Sequence, residues 1–197
     1  MSGKDLASSS SGQEYIDVHF DENSEIHTVH SEFEGCQFTR VNLSDSSLSR
    51  AVFRDCDFVD CDLSRVRVSE ASFQDCRFET CRLMGINWSS LGGLVFSIQM
   101  AECKASYSIF DELNLKWCSF SRSDLAESSF QESNLSGLLL DRCNLSRADF
   151  RGANLTGTDL SSAIGIVLQP SRSRLKGTRI NMQAALDTLA AQGILVD

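Results

Sequence analysis

A five-residue period governs this chain. Every fifth residue from Phe33 is apolar: Phe33, Phe38, Leu43, Leu48, Phe53, Phe58, Leu63, Val68, Phe73, Phe78, Leu83 and Trp88. The series resumes at Phe110 and runs through Leu115, Phe120, Leu125, Phe130, Leu135, Leu140, Leu145, Phe150 and Leu155 to Leu160, with Met100 and Ala105 extending it backwards. Two residues before each of these central positions stands a small or compact residue, as in Cys36, Ala51, Cys56, Cys61, Ala71, Cys76 and Cys81. The other three positions are mostly Asp, Asn, Arg, Ser, Glu and Gly.

Neither regular element accepts this spacing. Apolar residues at i, i+5 and i+10 spiral around an α-helix, and along a strand they alternate between faces. They share one interior only if the backbone turns a corner once per repeat. Four such sides close one coil. The sequence supports a four-repeat coil, since like residues recur at every fourth repeat: Phe33, Phe53 and Phe73, then Phe38, Phe58 and Phe78, then Cys36, Cys56 and Cys76. The expectation is a repeat solenoid of roughly seven coils at an inter-strand spacing of about 4.8 Å, a rod about 35 Å long. Each fully buried Phe or Leu contributes on the order of 1.5–3 kcal/mol. Volume alone requires the second inward residue to be small.

On these residues the chain resembles the pentapeptide-repeat family, whose motif is A(D/N)LXX. The segment RADFRGANLTGTDLSSA at 147–163 matches it closely, and the resemblance covers about residues 31–163. It implies an all-β fold, a right-handed quadrilateral β-helix. A short C-terminal capping α-helix is expected in addition. The domain reading is a disordered tail over 1–13, the β-helix over 14–165, and a connector, helix and dimerisation tail over 166–197.

Two places interrupt the period. From Trp88 to Phe110 is two residues more than four units, so the register breaks near 89–95, where Gly92-Gly93 favours a loop or bulge beside Trp88. Before Phe33, Tyr15 and Phe20 read as central residues of an irregular first coil, with 21–31 a loop or distorted side. Beyond Leu160 the repeat stops, and 167–180 reads as a connector. The segment from Asn181 is a short helix whose Met182, Ala185, Leu186, Leu189 and Ala190 share one face, with Gly193 as its stop. A solenoid end needs a cap, which this helix supplies. Leu186, Leu189, Ile194, Leu195 and Val196 then form a candidate dimerisation surface.

Charge and chemistry exclude several classes. Net charge is −9, and residues 1–80 carry all of it, with 16 Asp+Glu against 7 Lys+Arg, while 81–197 carry 11 of each. Direct nucleic-acid binding is therefore not expected. All eight cysteines occupy the small inward position and no CxxC pair occurs, so they read as buried thiols rather than metal ligands, in a reducing, cytoplasmic setting. His19, His27 and His30 lack companion ligands. No glycine loop cradles phosphate, and carboxylates lie on a regular outer surface. No enzymatic activity, cofactor, metal or membrane span is expected.

The segment CRLMGINW at 81–88 and the ending ALDTLAAQGILVD resemble the subgroup of gyrase-protecting proteins: Qnr quinolone-resistance, albicidin-resistance and microcin-immunity proteins. That resemblance implies a homodimer that binds DNA gyrase or topoisomerase IV and shields it from poisons, by mimicking B-form DNA or dislodging the poison. B-DNA carries about one charge per 1.7 Å, so about 35 Å of duplex carries roughly 20 charges, which this chain does not match. The candidate partner-binding residues are Asp55, Asp57, Asp60, Asp62 and Asp75, with Trp117 as an exposed aromatic anchor. The alternative is a scaffold or interaction protein unrelated to topoisomerases.

Overall fold

The computed structural model describes residues 12–93 and 95–196. The expected tail therefore falls, apart from Gly12 and Gln13, outside the described residues. The chain winds into a right-handed quadrilateral β-solenoid of about eight turns with one C-terminal helix. The first face carries Phe33, Phe53 and Phe73, the second Phe38, Phe58 and Phe78, the third Leu43, Leu63 and Leu83, and the fourth Leu48, Val68 and Trp88. All twelve are buried. Coils pair in parallel at a register of four repeats, as in Phe33 with Phe53 and Phe38 with Phe58. The stacked rings report the coil spacing directly: Phe33 and Phe53 are 4.7 Å apart, Phe38 and Phe58 4.5 Å, and Phe58 and Phe78 4.7 Å, all nearly parallel.

The corners follow a rule that periodicity alone does not display. Two residues after most central positions the backbone adopts a left-handed conformation, as at Asp55, Asp60, Arg65, Glu70 and Asp75. At Arg65 and Glu70 the corner also closes with a hydrogen bond, from Val66 N–H to the Leu63 carbonyl and from Ala71 N–H to the Val68 carbonyl, and φ > 0 at the third residue is the requirement of a type II turn. Glycine meets that need at Gly35, Gly85, Gly137, Gly152 and Gly157, while 19 non-glycine residues accept the strain. Interlocking with the coils above and below supplies the compensation. Gly157 isolates the conformational cost, because a Cβ added there meets nothing within 4 Å. Gly157→Ala is accordingly expected to lower unfolding free energy by about 1–2 kcal/mol, measured by urea denaturation.

The small inward position also has a chemical role. All eight cysteines are free and buried, and they fall in just two columns, before the second face and before the third. Their thiols donate to carbonyls one coil below: Cys56 to Phe33, Cys61 to Phe38 and Cys81 to Phe58, at 3.3–3.5 Å. Ser108 and Thr158 do the same toward Leu83 and Leu135. Where this position carries a thiol or hydroxyl, that group can also donate to a buried carbonyl. Burial pushes the Cys118 thiol up to about 12 and Cys143 to about 11, so neither is a ready nucleophile.

The break lies where the spacing places it. Cys76 pairs with Ile98, two positions beyond a full coil, while Lys104 pairs with Asp124 in the regular register. A 3-10 turn over Trp88–Ser90 opens it, and Phe96 supplies the inward side chain in place of a regular central residue. Gly92 is required by contact, since a Cβ there sits 2.9 Å from the Glu70 Cα. Trp88 is fully buried among Phe73, Phe78, Phe96 and Phe110, and its indole N–H has no acceptor. The first coil is irregular in the opposite sense: Tyr15 pairs with Phe33 and Phe20 with Phe38, two positions short of a full coil.

The C-terminal end differs from expectation in one respect. The solenoid continues past Leu160 into the stretch read as a connector, since Asn154 pairs with Arg174 and Asp159 with Arg179. Helix α1 (Met182–Ala191) does cover the end, capped by the Asn181 side chain, which accepts from Ala184 N–H at 2.9 Å and donates to the Ala163 carbonyl. The face it turns inward is Ala184 and Thr188, and Leu186 and Leu189 stay half-buried. Short side chains let the helix approach closely, and the Thr188 hydroxyl accepts the Leu168 N–H at 3.0 Å. Met182 is 76% exposed and Leu195 91%.

Candidate functional site

Outward side chains one coil apart form ladders along the rod, and many of its charges pair there. Arg50 meets Glu70, Arg65 meets Asp45, Arg122 meets Glu102 and Arg147 meets Glu127, each across a single coil step. The candidate aspartates divide accordingly. Asp57, on the second face, pairs with Arg77 at 3.4 Å. Asp62, on the third, pairs with Arg82 at 3.5 Å. Burial acts to raise the Asp62 carboxyl, but Ser64 and Arg82 outweigh it and hold it below its usual range. Asp60 accepts from the Thr80 hydroxyl at the corner between those faces. These three line or adjoin paired surfaces, including a hollow of about 440 Å³ shared by Arg40, Asp60, Asp62 and Arg82.

Asp55, Asp75 and Trp117 are brought together on a different edge, the corner between the first and second faces. Gly35 lies below Asp55. Ser97, Trp117, Gly137 and Gly157 continue the column above Asp75. Among the described residues neither Asp55 nor Asp75 has a basic partner within ion-pairing distance. The Ser97 hydroxyl accepts the Asp75 N–H at 2.7 Å and donates to its carboxylate at 3.0 Å, so the break loop is tied to this edge. Trp117 is 72% exposed, two coils or about 10 Å from Asp75. Val95, also exposed, projects from the break beneath it. The five aspartates are therefore not one free acidic surface. Two of them, a loop and an aromatic form a bare edge, and glycine corners above Trp117 keep it clear.

Sequence alone grouped the aspartates by proximity in the chain. Folding the series at four repeats per coil separates them by corner, a signal available in the period itself. The ion pairs that neutralise Asp57 and Asp62 were legible too, because Arg77 and Arg82 stand at the equivalent positions of the next coil. Among the described residues no three His, Cys, Asp or Glu side chains converge as a metal site, and no helix is long and apolar enough to cross a membrane.

Comparison with known proteins places the fold. The profile for a pentapeptide repeat region matches residues 31–92, and the one for pentapeptide repeats in eight copies matches within 98–164. No curated protein sequence matches the chain. Among solved structures, a trypsin-treated variant of QnrB1, a plasmid-mediated fluoroquinolone resistance protein, aligns with TM-score 0.58 and 18% identity, over 95% of this chain and 99% of that one. Full-length QnrB1 aligns with TM-score 0.44 and 20% identity, over 93% and 99%. HetL, from the cyanobacterium Nostoc sp. strain PCC 7120 and involved in heterocyst differentiation regulation, aligns with TM-score 0.29 and 16% identity, over 85% and 83%. With both repeat blocks matched by the family profiles, this chain belongs to the pentapeptide-repeat family.

Proposed function

We propose that this chain is a non-catalytic, cytoplasmic binding protein that docks on DNA gyrase or topoisomerase IV as a homodimer and protects it from quinolone-, albicidin- or microcin-type poisons. The observation that carries this reading is the bare edge bearing Asp55, Asp75, the break loop and Trp117. On this edge two carboxylates without ion pairs, Asp55 and Asp75, lie in one column with an exposed indole, the composition of an interface anchor with an acidic flank. The resemblance of residues 81–88 and of the C-terminal segment to gyrase-protecting proteins supplies the partner. The fold shared with QnrB1 is compatible with it.

Charge copying is a minor part of the mechanism in this reading. Asp45, Asp57, Asp62, Glu70, Glu102 and Glu127 are each held by an arginine, and the net charge of −9 is about half the roughly 20 charges on about 35 Å of duplex DNA. A stiff rod that seats one edge against the enzyme acts through shape and a few anchors. The test is gyrase supercoiling in the presence of a quinolone or albicidin. Wild-type protein restores supercoiling, and Asp55→Asn/Asp75→Asn/Trp117→Ala needs at least about tenfold more protein, as expected for loss of roughly 1.4 kcal/mol or more of binding. Asp57→Asn/Asp62→Asn changes protection little. Failure of the wild-type chain to protect against any of these poisons ends the proposal.

A further inference from the structure

The balanced charge of residues 81–197 conceals a segregation along the rod. Residues 142–179 alone carry seven Arg+Lys and two Asp, a net charge of +5. They form the last coils, about three and a half to five coil spacings or roughly 17–24 Å from Asp75, beyond the Debye length of about 8 Å at physiological salt. The acidic end therefore does little to cancel the field there.

Two features give this region the form of a site. First, the fourth-face ladder stops. Ser129 pairs with Asp149, but past Gly165 the chain swings away and nothing stacks on Asp149. In the coil below, Glu127 N–H and Phe130 N–H donate to carbonyls one coil above, each at 2.8 Å. The equivalent N–H groups of Arg147 and Phe150 have no acceptor among the described residues. They border a cleft of about 360 Å³ lined by Arg147, Asp149, Arg151, Val167 and Arg172. Asp149, the carboxylate lining this cleft, is clasped by Arg151 at 2.6 Å. Arg147 leans to Glu127 on the coil below.

Second, Arg172, Arg174 and Lys176 form a row. Ser173 donates inward to the Phe150 carbonyl and Leu175 packs on the core, while Arg172, Arg174 and Lys176 are exposed. Among the described residues none of the three has a carboxylate partner, although Glu132 lies near the row against Gly152. Beneath them on the same face run Asn134 and Asn154, joined amide to amide, with Ser136 and Thr156 beside them. A spaced cationic row, unsatisfied N–H groups and neighbouring amide and hydroxyl donors match the contacts that phosphate and sugar oxygens receive. The row holds no apolar or aromatic side chain of the kind that anchors a protein partner.

We infer that this C-terminal shoulder binds the phosphate backbone of a nucleic-acid duplex, one phosphate in the cleft and its neighbours along Arg172, Arg174 and Lys176. The inference stands apart from the topoisomerase reading and reverses the sequence-level expectation of no nucleic-acid contact. The test needs no gyrase: anisotropy of a fluorescein-labelled duplex of about 20 base pairs, titrated with the full chain across salt concentrations. Expected is weak, sequence-independent binding, with Kd about 10⁻⁵ M near about 50 mM salt and a log–log salt slope of about −3 to −4. Arg172→Gln/Arg174→Gln/Lys176→Gln lowers affinity at least about tenfold and reduces the slope by roughly 3. An unchanged circular dichroism spectrum and urea midpoint show that the variant is folded. Absence of saturable binding, or equal binding by the triple variant, overturns the inference. So does competition by poly-glutamate matching unlabelled duplex, which assigns the shoulder to an acidic protein. So does displacement by inorganic phosphate without a salt slope, which reduces it to a pocket for a single anion.

Discussion

Phe58→Ala is expected to lower the free energy of unfolding by about 3–5 kcal/mol, a large share of the stability of any domain of this size. Phe58 is completely buried. Its ring lies parallel to Phe38 at 4.5 Å and to Phe78 at 4.7 Å, and edge-on to Phe53 at 5.7 Å. Truncation thus removes the transfer term, leaves a cavity in a rigid prism, and breaks aromatic pairs worth about 0.5–1.5 kcal/mol each beyond burial. The walls cannot relax inward, because each is held by ladder bonds above and below: Asp57 N–H donates to Cys36 and Asp60 N–H to Glu79. Phe58→Leu tests the volume argument, since leucine fills this slot on the second face at Leu140 and Leu160, and the expected loss is about 1–1.5 kcal/mol. Phe150→Ala should cost less than Phe58→Ala, because Phe150 stacks on Phe130 alone and lies near an end where only one neighbouring coil is affected. Urea midpoints at constant m-value measure all three. A loss below about 1.5 kcal/mol for Phe58→Ala removes the ring stack as the source of stability.

The five-residue series was enough to place every central residue inward from Phe33 to Trp88 and from Phe110 to Leu160, because period and burial are the same fact in a solenoid. What it lacked was information carried by neighbouring coils. Left-handed corners at Arg50, Glu70 or Arg147 cannot be read from residues that ordinarily avoid that conformation, since the strain is met by contacts with the adjoining coils. The hydrogen-bonding role of the small column was hidden for a related reason. Volume explained Cys, Ser, Thr and Ala equally well, and only the carbonyl one coil below distinguishes them. The number of coils was underestimated because Gly165 and Pro170 interrupt the apolar period, which resumes in phase at Leu175 and Ile180 beside the ladder residues Arg174 and Arg179. For the site, segment charge was the misleading quantity. It pooled Asp57 and Asp62 with Asp55 and Asp75, although Arg77 and Arg82 cancel the first two. It also averaged the arginine-rich last coils against the carboxylates of coils further down.

The helix face offers the second large effect. Ala184 and Thr188 seal the solenoid, which leaves Met182 exposed and Leu186 and Leu189, read from the sequence as part of a dimerisation surface with Ile194, Leu195 and Val196, only half-buried. The backbone is fixed to present it: Gly193 takes a left-handed φ of 76°, and its N–H and that of Ile194 close on the Ala190 and Leu189 carbonyls. An apolar helix face running into an apolar tail that is 91% exposed at Leu195 is most simply covered by a second copy across a two-fold axis. The expected result is that the 21.8 kDa chain sediments as a dimer at about 10 µM, whereas Leu189→Glu/Leu195→Glu sediments as a monomer, with dimerisation weakened at least about 100-fold, or about 2.7 kcal/mol. Leu195→Glu alone separates association from folding, since that side chain touches little of its own chain, and it should weaken the dimer while leaving the urea midpoint of the monomer unchanged. Two copies joined at these ends also place two bare edges on one particle. Any partner with two equivalent sites then binds by avidity, and the double variant should lose topoisomerase protection more steeply than it loses single-site affinity. A wild-type chain that stays monomeric at about 100 µM, or a double variant that still dimerises, would exclude this face as the contact.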